Sequence, residues 1–243
     1  MKRTLAAGCL VLVSVMLRAQ DITDDPNAIF ILDKMSDVVG SLNSCSYTLA
    51  TALDVKDFEH GLIKQHGVSK VYMVGPDKML VNTRNHKGHR TFAYNGKQIA
   101  YYSHDENNYA LVDAPPTIME TIIQINERYG IEFPAADFFY PTFTDDLMEN
   151  SDQVRLLGKA TINGEECFHI LSVGTELKVE IWVSNDAFML PKKLVITYLK
   201  EGNAQYEATF SDWIVNPGLP EAMFEFLPPS GAAEVRLVPR KNK

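Results

Sequence analysis

The densest cluster of groups able to hold a metal or move a proton is His86-Lys87-Gly88-His89. Two imidazoles three positions apart can ligate a cation, but a zinc site takes three or four protein ligands, and no cysteine or third histidine lies near. The segment reads as an exposed basic turn. His60, His66, His104 and His169 are scattered singly. Asp105-Glu106 and Asp145-Asp146 are adjacent carboxylates, whereas a calcium loop spaces its oxygen ligands at alternate positions and ends on a distal glutamate. Ser44 and Ser46 flank Cys45 without a base that spacing would place beside them. No Gly-rich phosphate loop, nucleophile elbow or paired-cysteine motif occurs. The expectation is therefore no catalytic residue, no metal and no cofactor. Only a triad assembled in space from distant residues would escape this reading.

Cys45 and Cys167 are far apart in sequence. Joined as a disulfide they would close a long loop, worth roughly 4–5 kcal/mol on a chain-entropy estimate. The reading favours two buried thiols packing as small apolar groups.

Charge and the amino terminus narrow the setting. The 243 residues are 46% apolar and carry 23 basic against 31 acidic side chains, −8 in all. That balance gives no excess of cations for a phosphate backbone or an anionic membrane surface. Lys2 and Arg3 precede an uncharged run from Leu5 to Leu17, and acidic residues follow from Asp21. The run is too short to cross a hydrocarbon core, which needs about 20 helical residues, but it suits a signal peptide. Residues 1–20 are expected to be that signal, cut after Ala19 or Gln20. Leu5-Ala6-Ala7-Gly8-Cys9 loosely resembles a lipobox, yet the strongest apolar run lies after Cys9 rather than before it. Residues 21–243 are expected to form one domain with no transmembrane segment, exported to the periplasm.

Two helices and two β meanders account for that domain. Asp25-Pro26 supplies a cap and a first-turn proline, and Ile29, Leu32, Met35, Val39 and Leu42 recur at helical spacing. Short apolar runs separated by turns then fill residues 46–112. Asn95-Gly96 is a strong hairpin signal. As a two-residue loop it would put Phe92, Tyr94, Ile99 and Tyr101 on one inward face, with Thr91, Ala93, Gln98, Ala100 and Tyr102 outward. A second helical stripe, Ile118, Met119, Ile122 and Ile123, ends at Gly130. Residues 131–150, rich in aromatics, read as short helical turns, and strands resume from Val154 with a late extended piece at Phe224-Glu225-Phe226. The fold class expected is mainly β with α: a single, strongly curved antiparallel sheet with helices covering its concave face.

Asn163-Gly164-Glu165-Glu166-Cys167-Phe168-His169-Ile170, Ile181-Trp182-Val183, Leu190-Pro191-Lys192-Lys193 and Phe210-Ser211-Asp212-Trp213 follow one another in an order that resembles a DUF2092-like family of predicted periplasmic proteins of unknown function. Phe224-Glu225-Phe226-Leu227-Pro228-Pro229 and Tyr94-Asn95-Gly96-Lys97 extend the likeness over nearly the whole exported chain; Glu180 departs from it, standing where a Gln is expected. That family in turn resembles the LolA/LolB lipoprotein-carrier fold, an unclosed β-barrel. The resemblance implies a hydrophobic cavity for acyl chains, with lipid or lipidated protein as partner, and an inward arginine for which Arg84 and Arg90 are the strand candidates. The cavity candidates are Ile29, Leu32, Met35, Phe92, Tyr94, Ile99, Tyr101, Met119 and Ile122. A non-enzymatic envelope sensing or interaction module on the same fold is the alternative, and an exported hydrolase is third, without a motif to support it.

The exported protein is expected to begin at Gln20 or Asp21. Intact-mass analysis checks this; a diacylated N-terminal Cys9 contradicts it.

Overall fold

The structure is a computed structural model that describes residues 24–133 and 135–240. The signal expected over 1–20, with Cys9, lies outside the described residues. Helix α1 spans Pro26–Gly40. The first meander is β1 (Ser44–Asp57), β2 (Gly61–Val74), β3 (Lys78–Asn85), β4 (Gly88–Tyr94), β5 (Gln98–Ser103) and β6 (Asn108–Asp113). Helix α2 (Ile118–Tyr129), a 3-10 turn over Ala136–Phe139 and helix α3 (Phe143–Glu149) separate it from the second meander. That meander is β7 (Gln153–Ile162), β8 (Glu165–Val173), β9 (Leu177–Ser184), β10 (Pro191–Tyr198) and β11 (Ala204–Val215). A second 3-10 turn, Glu221–Phe224, and a two-residue strand β12 (Ala233–Glu234) follow.

Among the described residues, twelve strands form one curled, unclosed sheet in the order β12-β6-β5-β4-β3-β2-β1-β11-β10-β9-β8-β7. The meanders meet where β1 pairs antiparallel with β11. Of these strands only β12 runs parallel to its neighbour, β6. The β1–β2 hairpin is paired over its whole length, from Ser44 opposite Val74 to Asp57 opposite Gly61. It outreaches β3, whose pairing with β2 stops at Gly67, and leaves Phe58 fully exposed in the turn.

Helices α1 and α2 are fixed to different halves of the sheet. Asp25 caps α1, its carboxylate accepting from the Asn27 N–H at 2.9 Å. Its own N–H donates to the Val154 carbonyl at 2.8 Å, and Asp24 accepts from the Val154 N–H at 2.7 Å. These bonds tie the start of α1 to β7 and occupy part of that edge strand. Ala28, Ile31, Leu32, Met35 and Val39 are buried. Ile29, expected on the inward stripe, is half-exposed. With α1 tied to β7 in this way the inward positions fall at 28, 31, 32, 35 and 39, a period of three and four that leaves 29 on the flank. On α2 the buried positions are Ile118, Thr121, Ile122 and Ile125, while Ile123 is exposed. Thr117 caps α2, and Gly130 ends it in the left-handed region at φ 66°. The Ile118 N–H donates to the Pro76 carbonyl at 2.9 Å, and the hydroxyl of the fully buried Tyr94 donates to the Pro115 carbonyl at 2.5 Å.

The Asn95-Gly96 hairpin differs from its expected geometry. Tyr94 pairs with Ile99 and Phe92 with Tyr101, so four residues, 95–98, rather than two separate the last paired positions of β4 and β5. The Asn95 side-chain oxygen accepts from the N–H groups of Lys97 and Gln98, at 3.2 and 3.0 Å, so the asparagine closes a wider turn on itself. The register moves by two, an even shift, and Phe92, Tyr94, Ile99 and Tyr101 still share the inner face.

The opposite face is also covered. Ala93, Ala100 and Tyr102 are buried outside the main core. After β11 the chain crosses the outer surface, with Phe226 against Tyr102 and Tyr109, the Glu225 carboxylate accepting from Asn95 at 2.9 Å, and β12 laid along β6. The late extended piece begins as the Glu221–Phe224 turn, which buries Phe224. Ala93, Ala100 and Tyr102 face outward but are shielded by this strap.

On the same outer surface His89 stacks on His104, ring centroids 3.6 Å apart and planes within 6°. His89 is hydrogen-bonded to Asn82 at 3.0 Å and His104 to Thr91 at 2.8 Å. Burial, then the Arg84 charge, holds His89 below its ordinary 6.5; burial, then His89 and Arg84, does the same to His104.

Tyr94→Phe removes the hydroxyl that anchors the entry to α2 and should cost about 1–2 kcal/mol, read as a lowered urea midpoint at unchanged m-value. The stacked histidines take up protons less readily than those of the unfolded chain. Their contribution to stability should thus be lost as the pH falls below about 6.5 toward the folded midpoints. An NMR titration placing either imidazole at or above about 6.5 contradicts it.

Candidate functional site

Strand alternation puts Cys45, Tyr47 and Leu49 of β1 on the concave face, opposite Met73, Val71 and Ser69 of β2. Helix α1 leans on the β7–β9 side, and α2 is anchored at Pro76 and Pro115 on the other. Between the end of α1, the start of α2 and this central pair of strands the cover is incomplete, and two adjoining cavities remain.

The outer one, about 320 Å³, is lined by Val39, Leu42, Cys45, Met73, Ile118, Met119 and Phe139, with the exposed Gly40, Gly75 and Pro76 at its rim. The inner one, about 30 Å³, lies deeper under α2 among Tyr47, Leu49, Val71, Met79, Val81, Ile122 and Phe133. That inner volume is about one water molecule's share of liquid. The outer volume exceeds the ~150 Å³ of an apolar cavity known to take up benzene.

Electrostatically the site is quiet. Among the described residues neither lining contains a Lys, Arg, His, Asp or Glu. Its serine and threonine hydroxyls are already engaged within the protein. Ser44 donates to the Pro217 carbonyl at 2.8 Å, Ser69 to Thr83 at 2.9 Å and Thr117 to the Glu120 carboxylate at 2.8 Å. Burial pushes the Cys45 thiol up to about 12 and the Tyr47 hydroxyl well above its ordinary range, so both stay neutral and Cys45 is a poor nucleophile. Both Cys45 and Cys167 are free and buried. Among the described residues no group of three His, Cys, Asp or Glu side chains is placed to hold a metal, and His89 pairs with His104 rather than with His86. Such a lining can exclude water and enclose an uncharged, apolar body.

Of the nine cavity candidates read from the sequence, the structure places Met119 and Ile122 in the lining. Leu32, Met35, Phe92, Tyr94 and Ile99 are buried in the packed core, and Tyr101 is packed against it. Ile29 lies outside that cluster. Arg90, on the inner row, donates to the Tyr101 hydroxyl at 2.9 Å, and Arg84 lies on the outer row, exposed. Sequence reasoning missed the β1–β2 contribution, Tyr47, Leu49, Val71 and Met73, and also Leu42 and Phe139 as lining. The signal was the alternation Cys45-Tyr47-Leu49. It lacked a register, because Asp57–His60 carries no hairpin motif and residues 61–67 are too polar to read as a strand.

Among the described residues no helix is long and apolar enough to cross a membrane. No curated protein matches the chain. Solved structures similar in architecture include an uncharacterised conserved protein from Thermus thermophilus, with 13% identity, 86% of this chain and 99% of that one covered, and a TM-score of 0.49. LprF from Mycobacterium bovis is similar at 13% identity, 81% and 98% coverage and 0.47. A LolA superfamily protein from Nitrosomonas europaea is similar at 13% identity, 82% and 97% coverage and 0.37. The family described as predicted periplasmic protein (DUF2092) matches residues 28–238, from the first turn of α1 to beyond β12, and the chain belongs to that family.

Proposed function

We propose that this protein is a periplasmic binder or carrier of lipid or lipidated protein, exported with loss of residues 1–20 and working as one domain over residues 21–243. The observation that carries the reading is the uncharged cavity between the concave sheet face and the two helices. A lining without charge, whose serine and threonine hydroxyls are bonded internally, favours methylenes over charged groups, at about 0.8 kcal/mol per methylene buried. A charged head would lose its hydration there without gaining a partner. The ligand therefore enters tail first, its polar end left at the rim of Gly40, Gly75 and Pro76, and no step of covalent chemistry is needed. Anchored through Pro76 and Pro115, α2 acts as the wall of the site.

Native mass spectrometry of the exported protein, followed by titration with a fluorescent fatty-acyl probe, tests this. Wild type is expected to bind one probe saturably. Leu42→Trp, which fills the outer cavity with apolar volume, is expected to weaken binding at least tenfold, about 1.4 kcal/mol, with little change in melting temperature. Absence of saturable binding by wild type refutes the carrier reading and leaves a protein-interaction module as the better one.

A further inference from the structure

Met73, Met119 and Phe139 line both cavities. They come from three separate elements: β2, the first turn of α2 and the end of the Ala136–Phe139 turn. Together they form the partition between a roomy outer chamber and a small inner one. Two of the three are thioethers, whose unbranched chains change rotamer and shape with little penalty. Met119 is half-buried at the margin of the core, whereas Leu32 and Met35 are wholly enclosed. Phe139 is also half-buried and stacks on Tyr47 at 6.0 Å between ring centroids, on the inner side of the partition. Beyond it the lining stays apolar, with Leu49, Val71 and Val81.

We infer that the Met73–Met119–Phe139 partition determines the length of acyl chain the protein accepts. This rests on the carrier reading and adds the specificity element to it. A short chain fills the outer chamber and stops at the partition. A longer chain gains only by displacing Met119, the member carried on a helix rather than on the sheet, and annexing the inner chamber. Below the limit each added methylene is buried and strengthens binding by roughly fourfold; above it the extra methylenes stay at the rim and affinity levels off.

The experiment displaces a bound fluorescent acyl probe from the exported protein with a homologous series of saturated monoacylglycerols. Wild type is expected to show rising affinity with chain length and then a plateau. Met119→Ala should move the plateau to longer chains. Those chains should bind about 4- to 16-fold tighter than to wild type, one or two methylenes' worth, with short chains unchanged. Met119→Leu, similar in volume, should keep the wild-type plateau. Phe139→Leu opens the same partition from the other side and serves as a second variant should Met119→Ala fail to fold. Wild-type binding with the plateau unmoved in folded Met119→Ala or Phe139→Leu overturns the partition and leaves the carrier reading standing. No saturable binding of any chain by wild type overturns both.

Discussion

The inward row of β1 and β2, Cys45, Tyr47 and Leu49 opposite Met73, Val71 and Ser69, governs what the rest of the molecule has to cover. These two strands lie at the middle of the sheet, where β1 alone joins one meander to the other. Alternation forces every second side chain to the concave side, and the curl brings those side chains toward each other and toward the helices. Tyr47 shows the consequence: it meets Phe210 and Trp213 from β11 and Phe139 from the intervening segment, all with ring centroids within 6.0 Å. The aromatic cluster seals the β11 side of the row. On the β2 side the smaller Val71 and Ser69 line the inner cavity with Met119 and Ile122 of α2.

An open sheet has two edges, and each leaves backbone groups available for unwanted pairing. This chain handles the two edges with the segments that flank its meanders. At β7, Asp24 and Asp25 engage Val154, so one short segment caps a helix and blocks part of an edge. At β6 the strap after β11 adds β12 in parallel, and the Arg240 N–H then donates to the Arg128 carbonyl at the end of α2, 2.7 Å away. The strap therefore links the convex face to the helix that walls the cavity. It also covers a face that alternation alone misjudges: Ala93 and Ala100 look outward in the register yet are buried, and Phe226 packs on Tyr102 and Tyr109 of the same face.

Much of this was legible in the sequence because local signals agreed. Asp25-Pro26 and Gly130 mark helix ends through backbone chemistry that acts within one turn, and both stand at helix ends in the structure. The class of fold followed from alternating runs and turns. What escaped depended on contacts distant in sequence. Ile29 and Ile31 differ in no local property that predicts which faces the sheet; the Asp25–Val154 bonds decide the rotation. The Asn95 turn is legible but its width is not, since the asparagine side chain can replace backbone bonds in either geometry. The cavity was hardest. Leu32 and Met119 are both long apolar side chains on helical stripes, and only the spacing between α1 and α2 makes one a core residue and the other a wall.

That last distinction is energetic rather than chemical. An apolar void forfeits the dispersion contacts its lining atoms would otherwise make, and the loss grows with its volume. A chain that packs Leu32, Met35, Ile170 and Ile181 with no exposure to solvent can fill space where its elements allow. The gap persists where both helices are pinned by hydrogen bonds, α1 to β7 and α2 to Pro76 and Pro115, at positions too far apart to close over Met73. Closing it would require breaking the Tyr94 and Ile118 bonds, each of which would leave a buried polar group without its partner. The same bonds that make the helices well-placed walls prevent them from collapsing into a filled core. An apolar body seated there would restore the missing contacts without disturbing the anchors, and the thioethers of Met73 and Met119 line that gap.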